Sequence, residues 1–189
     1  MIQHWTFETL ARADKDTLEL IMRKGTAPEI EKLNGLIYCG WNCGSIGKLT
    51  GEKFKKGFCQ KDGINYGFNE TVVQDKQGYS GSWKMKPSQV RPFQMGYFRV
   101  SYVKEESISQ SYNFYEHLAL FNYKVPINKW HMSFFKVIRD FIVLPNENDH
   151  GLLLGKAYLQ LWGKTRIACC YFLLGHPEKI QFIPPLLKQ

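Results

Sequence analysis

Four stretches of this chain place polar or aromatic side chains two residues apart, the spacing that brings them to one face of a β-strand. Tyr97 and Arg99 form one series and Tyr115 and His117 another; Tyr158 stands between Lys156 and Gln160, and Arg166 begins a run with Ala168, Cys170 and Phe172. Tyrosine, arginine and histidine can orient the polar head of an otherwise apolar ligand, and tyrosine or histidine can also move a proton. Tyr97, Arg99, Tyr115, His117, Tyr158 and Arg166 are therefore the candidate ligand-binding set, on the condition that their faces turn into a shared cavity. The ordinary alternative is the solvated face of half-buried strands, and the alternation does not itself assign inside and outside.

More specific chemistry is not signalled. The histidines His4, His117, His131, His150 and His176 are dispersed, and the chain has neither a Gly-x-Ser-x-Gly elbow nor a phosphate-binding loop. An acid and base assembled across strands would draw on His117 with Glu116 or Asp140, although sequence neighbours face opposite ways on a regular strand. The cysteines Cys39, Cys43, Cys59, Cys169 and Cys170 are odd in number and lack a four-ligand zinc spacing, so they read as reduced, packed thiols. No metal and no cofactor is implied.

The elements that position these residues are mostly strands. Strand-like runs cover Leu36 to Asn42, Lys53 to Gln60, Ile64 to Val73, Met95 to Val103, Phe114 to Tyr123, Ile138 to Leu144, Leu152 to Leu161 and Thr165 to Leu174, with one more short run near Ser82 to Lys86. Hairpin turns are expected at Lys61, Asp62 and Gly63 and at Gly163 and Lys164. Cys43 to Gly51 reads as a loop or a turn of helix. The long connection from Asp75 to Pro92 is a candidate flap, and Pro126 to Lys136 is apolar enough to pack. Phe7, Leu10, Ala11, Leu18, Ile21 and Met22 have helical spacing up to a stop at Gly25, and Thr26, Pro28 and Glu29 suit the start of a short second helix. These helices suit either the end or the outside of a barrel.

At 189 residues, 44% hydrophobic and 15% aromatic, the chain is expected to form a single domain: helices over 1–35, a β-barrel over 36–176 and a tail over 177–189. No signal peptide and no membrane-spanning helix is expected, which makes cytoplasmic the simplest location. The net charge of +8 is scattered apart from Lys53, Lys55 and Lys56. That cluster reads either as an edge strand whose lysines discourage aggregation or as contact with phosphates or an anionic membrane face. No nucleic-acid-binding motif accompanies it.

Cys39, Gly40, Trp41 and Asn42 on the first strand, together with Arg166 on the last, resemble the lipocalin and calycin pattern. There a Gly-x-Trp closes the barrel floor and a late arginine packs over the tryptophan. Here Gly40 directly precedes Trp41 and the family's middle motif is not evident. The resemblance implies a mainly β fold, an antiparallel lipocalin-like barrel of about eight or nine strands with two N-terminal helices, and structural roles for Trp41 and Arg166. The function expected is binding of a small apolar or amphiphilic molecule, such as a lipid acid, pigment or isoprenoid, in the barrel cavity. The alternatives are an isomerase, cyclase or lyase using that cavity, and an interaction module whose Lys53 to Lys61 region contacts an anionic partner.

Overall fold

A computed structural model describes residues 4–44, 51–106, 113–160 and 166–187. Its eight strands are β1 (Leu36–Asn42), β2 (Lys53–Lys61), β3 (Ile64–Thr71), β4 (Gln94–Tyr102), β5 (Ala119–Asn122), β6 (Ile138–Val143), β7 (Leu153–Gln160) and β8 (Arg166–Lys179). Each pairs antiparallel with the next, and β8 returns to β1 to close a barrel. The β2–β3 turn follows from its residues: Asp62 and Gly63 both have positive φ, the two-residue turn whose twist matches its strands. The expected turn at Gly163 and Lys164, and most of the loop after Cys43, lie outside the described residues.

The register identifies the lumen. Lys56 stands opposite Asn69, Phe58 opposite Gly67, Gly67 opposite Phe98, Val100 opposite Phe121, and Phe121 opposite Asp140. Residues directly opposite share a face, so this one follows the inside of the barrel around. Large rings fit because glycines lie beneath them: a Cβ on Gly67 or on Gly155 would sit 2.2 Å from the ring of Phe98 or Phe172. Phe58, Phe98 and Phe121 pack with centroids 4.7 to 5.8 Å apart. Side chains thus occupy the middle of the barrel, as expected at this strand number.

Two segments close the ends. Ile30 and Leu33 pack against Tyr38 and Leu144 at one end. At the other, Phe135 lies nearly parallel to Tyr123, with centroids 6.0 Å apart. The N-terminal helices cover the outside, where Phe7, Leu10, Leu18 and Met22 join Leu120, Phe141, Leu154 and Leu173 in one apolar cluster. Among the described residues, no helix is long and apolar enough to cross a membrane.

Several expected elements differ in detail. The helix read from Phe7 to Gly25 is two helices, α1 (Phe7–Ala11) and α2 (Lys15–Lys24), because the Asp14 carboxylate caps a new start by accepting from Thr17 N at 2.7 Å. The expected second helix is only a 3-10 turn, Ile30–Leu33, since the Thr26 carbonyl accepts from Leu144 N in a β-bridge. β5 begins five residues late, at Ala119, because 113–115 form a 3-10 turn that sends Tyr115 toward α2. The run at Ser82 to Lys86 is not a strand; it bridges through Met85 to Val72 as the connection folds back along the wall. The lysine cluster is not on an edge, because a closed barrel leaves β2 flanked on both sides.

Candidate functional site

β2 divides its lysines between two faces. Lys53 and Lys55 point to the outer wall and Lys56 into the lumen, yet all three are buried. Lys53 Nζ meets Asp75 of the β3–β4 connection at 2.8 Å, and Lys55 Nζ meets Glu178, near the end of β8, at 3.2 Å. Both lysines thus stand in ion pairs and do not form a basic surface.

Around Lys55 the covering segments leave a cleft of about 410 Å³. Ile37, Lys55 and Glu70 form its floor; Trp83, Met85 and Pro92 from the β3–β4 connection form one side, and Glu178 to Phe182 the other. Glu70 stands directly across from Lys55 and is only 2% exposed. Its Oε1 accepts from Gln94 Nε2 at 2.8 Å, whereas Oε2 is buried without a hydrogen-bond partner among the described residues. Burial pushes the Glu70 carboxyl above its ordinary value, and Gln94 and Lys55 offset that only partly. A carboxyl so placed can donate a hydrogen bond to a ligand when neutral, or exchange a proton with it.

The lumen holds the second polar constellation. Lys56 Nζ donates to Asn69 Oδ1 at 2.7 Å and to the Tyr123 hydroxyl at 2.5 Å, and lies 3.4 Å from Asp140 Oδ2, which Tyr123 also reaches at 3.0 Å. Rings of Phe98, Phe172 and Tyr123 surround the ammonium with centroids 4.9 to 5.3 Å away. Burial drives Lys56 down and Asp140 up, and their mutual attraction opposes both shifts. Every member has partners, so the group reads as a structural core.

Of the six candidates from the alternating series, the structure brings two together. Tyr97 is buried in the wall, where it borders a neighbouring groove with Phe93 and Phe182. Arg99 is exposed and paired with Glu106. His117 is exposed, whereas Asp140 is buried in the lumen, so those two do not form a pair. Arg166 begins β8 opposite Gln160. Tyr115 and Tyr158 come together, with hydroxyls 3.5 Å apart beside Glu19 of α2. The Glu19 carboxylate accepts from Lys156 and Tyr171 at 2.7 Å, from Tyr115 at 2.8 Å and from Arg23 at 2.9 Å. Burial raises Glu19, but these four donors outweigh it and bring the carboxyl down to about 2. This cluster fastens α2 to β7 and β8. Trp41 lies on the wall with its ring 5.7 Å from Tyr79, and its strand partner is Leu173.

The alternating series did not point to Glu70, Lys55, Lys56, Asp140 or Tyr123 as a set. A signal for the lumen lysine exists in Phe54, Lys56 and Phe58, where a cation shares one strand face with two phenylalanines. Glu70 has no comparable local mark, because its burial depends on the β3–β4 connection and the C-terminal segment.

With this geometry established, the chain was compared with known proteins. No family model, curated protein or solved structure matches it. The assignment of function therefore rests on the chemistry of the cleft and the lumen.

Proposed function

We propose that the protein binds a small amphiphilic molecule, and that the ligand sits in the wall cleft over Lys55 and Glu70. The observation that carries this reading is Glu70, which lines a cleft of about 410 Å³ and whose buried Oε2 has no hydrogen-bond partner among the described residues. Apolar contact with Ile37, Trp83 and Met85 would hold the body of the ligand, while neutral Glu70 donates to a carboxylate or carbonyl head and Lys55 supplies positive charge. The lumen is a poorer home, because packed rings and a satisfied ion pair already fill its middle. In this reading the lipocalin resemblance extends to the barrel and not to the place of the ligand.

The test is calorimetric titration with octanoate and with octanol. Octanoate is expected to bind more tightly, and Glu70→Leu to weaken it about tenfold. Equal affinities, or a Glu70→Leu variant that binds octanoate like the wild type, would sink the proposal. The same Glu70 and Lys55 pair favours the enzyme reading, with Glu70 as acid or base. Native mass spectrometry separates the two: a co-purifying molecule recovered unchanged after incubation supports a carrier, and its conversion supports an isomerase or lyase.

A further inference from the structure

The two ends of the barrel differ in charge and in apolar exposure. At one end lie the β3–β4 connection, residues 72–93, and the β5–β6 connection, residues 123–137. Apart from 82–86, which fold back along the wall, they carry five lysines and arginines against one acid, Asp75, which Lys53 engages. The described parts of the connections at the opposite end, 62–63, 103–106, 113–118 and 144–152, carry six aspartates and glutamates against one lysine, Lys104. The molecule is thus polarised along the barrel axis in a way that its net charge of +8 does not reveal.

Large apolar side chains are exposed at the basic end. Trp130 is 86% exposed, Val90 79%, Phe134 62% and Phe93 57%. The two connections are neighbours: Asn128 of the second bonds the Tyr97 backbone on β4, just beyond Phe93, and Phe135 lies over Gly96. Exposed Phe114, outside this end, lies under the Arg23 guanidinium at 5.1 Å. Exposed Arg91 lies between Val90 and Phe93, and exposed Lys129 precedes Trp130.

We propose that this end is a docking surface for an anionic lipid bilayer, with Trp130 and Phe134 entering the interfacial region while Arg91, Lys129 and their neighbours meet lipid headgroups. Tryptophan and phenylalanine favour the headgroup boundary, and each lysine or arginine near an anionic leaflet adds attraction that salt screens. The acidic opposite end orients the approach, since the same leaflet repels it. This surface is distinct from the cleft over Glu70 and from the buried Lys53, Lys55 and Lys56.

The test is co-sedimentation of the full chain with phosphatidylcholine vesicles, with and without phosphatidylserine. Partitioning is expected to be at least about tenfold stronger with phosphatidylserine and to fall as salt rises. On the anionic vesicles, Lys129→Ala should lower it about fivefold and the Trp130→Ala/Phe134→Ala pair about tenfold. Equal partitioning on both vesicle types overturns the proposal, and so does unchanged binding by the double variant. A single-stranded oligonucleotide that displaces the protein from the vesicles would assign the surface to nucleic acid and also overturn it. The two-vesicle comparison uses the wild-type chain, so it decides the matter even if a variant fails to fold.

Discussion

Lys56 and Glu70 are both buried ionisable groups on adjacent strands, yet their surroundings differ. Lys56 in the lumen has an acid, a hydroxyl and an amide oxygen around it, and aromatic rings on its open sides. Glu70 on the wall has one oxygen held by Gln94 and the other without a partner among the described residues, beside a cleft. A fully partnered buried charge is what a core needs to remain unique; a half-partnered one carries a cost that folding alone does not explain. The contrast separates structure from function within one barrel, and it can be broken from either side.

The largest effect is expected in the lumen. Lys56→Met leaves Asp140 buried without its cation, and Asp140→Leu does the reverse, so each should lower stability by about 3–5 kcal/mol in urea denaturation. The double variant removes both charges and should recover much of that loss, giving a large coupling in the cycle. If the two single effects simply add, the pair is not the unit described here.

An intermediate effect belongs to Glu19, whose position resembles that of Lys56 more than that of Glu70, since all its donors are in place. Its carboxyl is held at about 2, below the ordinary value near 4.5. A depressed acid contributes stability that is fully present above the unfolded value and lost as pH falls from about 4.5 toward 2. Glu19→Gln should cost about 2 kcal/mol at pH 7 and almost nothing at pH 2. A penalty that is the same at both pH values would mean that charge is not what ties α2 to Tyr115, Lys156 and Tyr171.

The barrel was largely legible because its signals are local. Alternation located β1 at Leu36–Asn42, and Asp62 with Gly63 marked the turn between β2 and β3. What stayed hidden was long-range. Nothing near Tyr115 announces that Glu19, 96 positions away, draws it out of β5. Which face of β4 turns inward follows only from Gly67 standing opposite Phe98. The lysine run on β2 looked like surface because lysine usually is; Asp75, Asp140 and Glu178, which neutralise it, come from distant segments. The cleft was least legible of all, since two irregular stretches build its sides.

The smallest effect carries the most direct information about Glu70. Its folded value lies above its unfolded one, so it binds more protons in the native state between those two values. Stability linked to this group is therefore fully present below the ordinary value near 4.5 and declines as pH rises through the raised one. Glu70→Gln keeps the shape and the contact with Gln94 but cannot ionise. The variant should match the wild type near pH 4 and exceed it by about 1–2 kcal/mol at pH 8, with the difference growing between. Octanoate should steepen that trend in the wild type, because a ligand that accepts from neutral Glu70 stabilises the native state most where this carboxyl is protonated and less as pH rises. If the ligand stabilises the wild type equally at pH 4 and pH 8, the carboxyl does not face the ligand, and the cost of burying it must be explained by the wall alone.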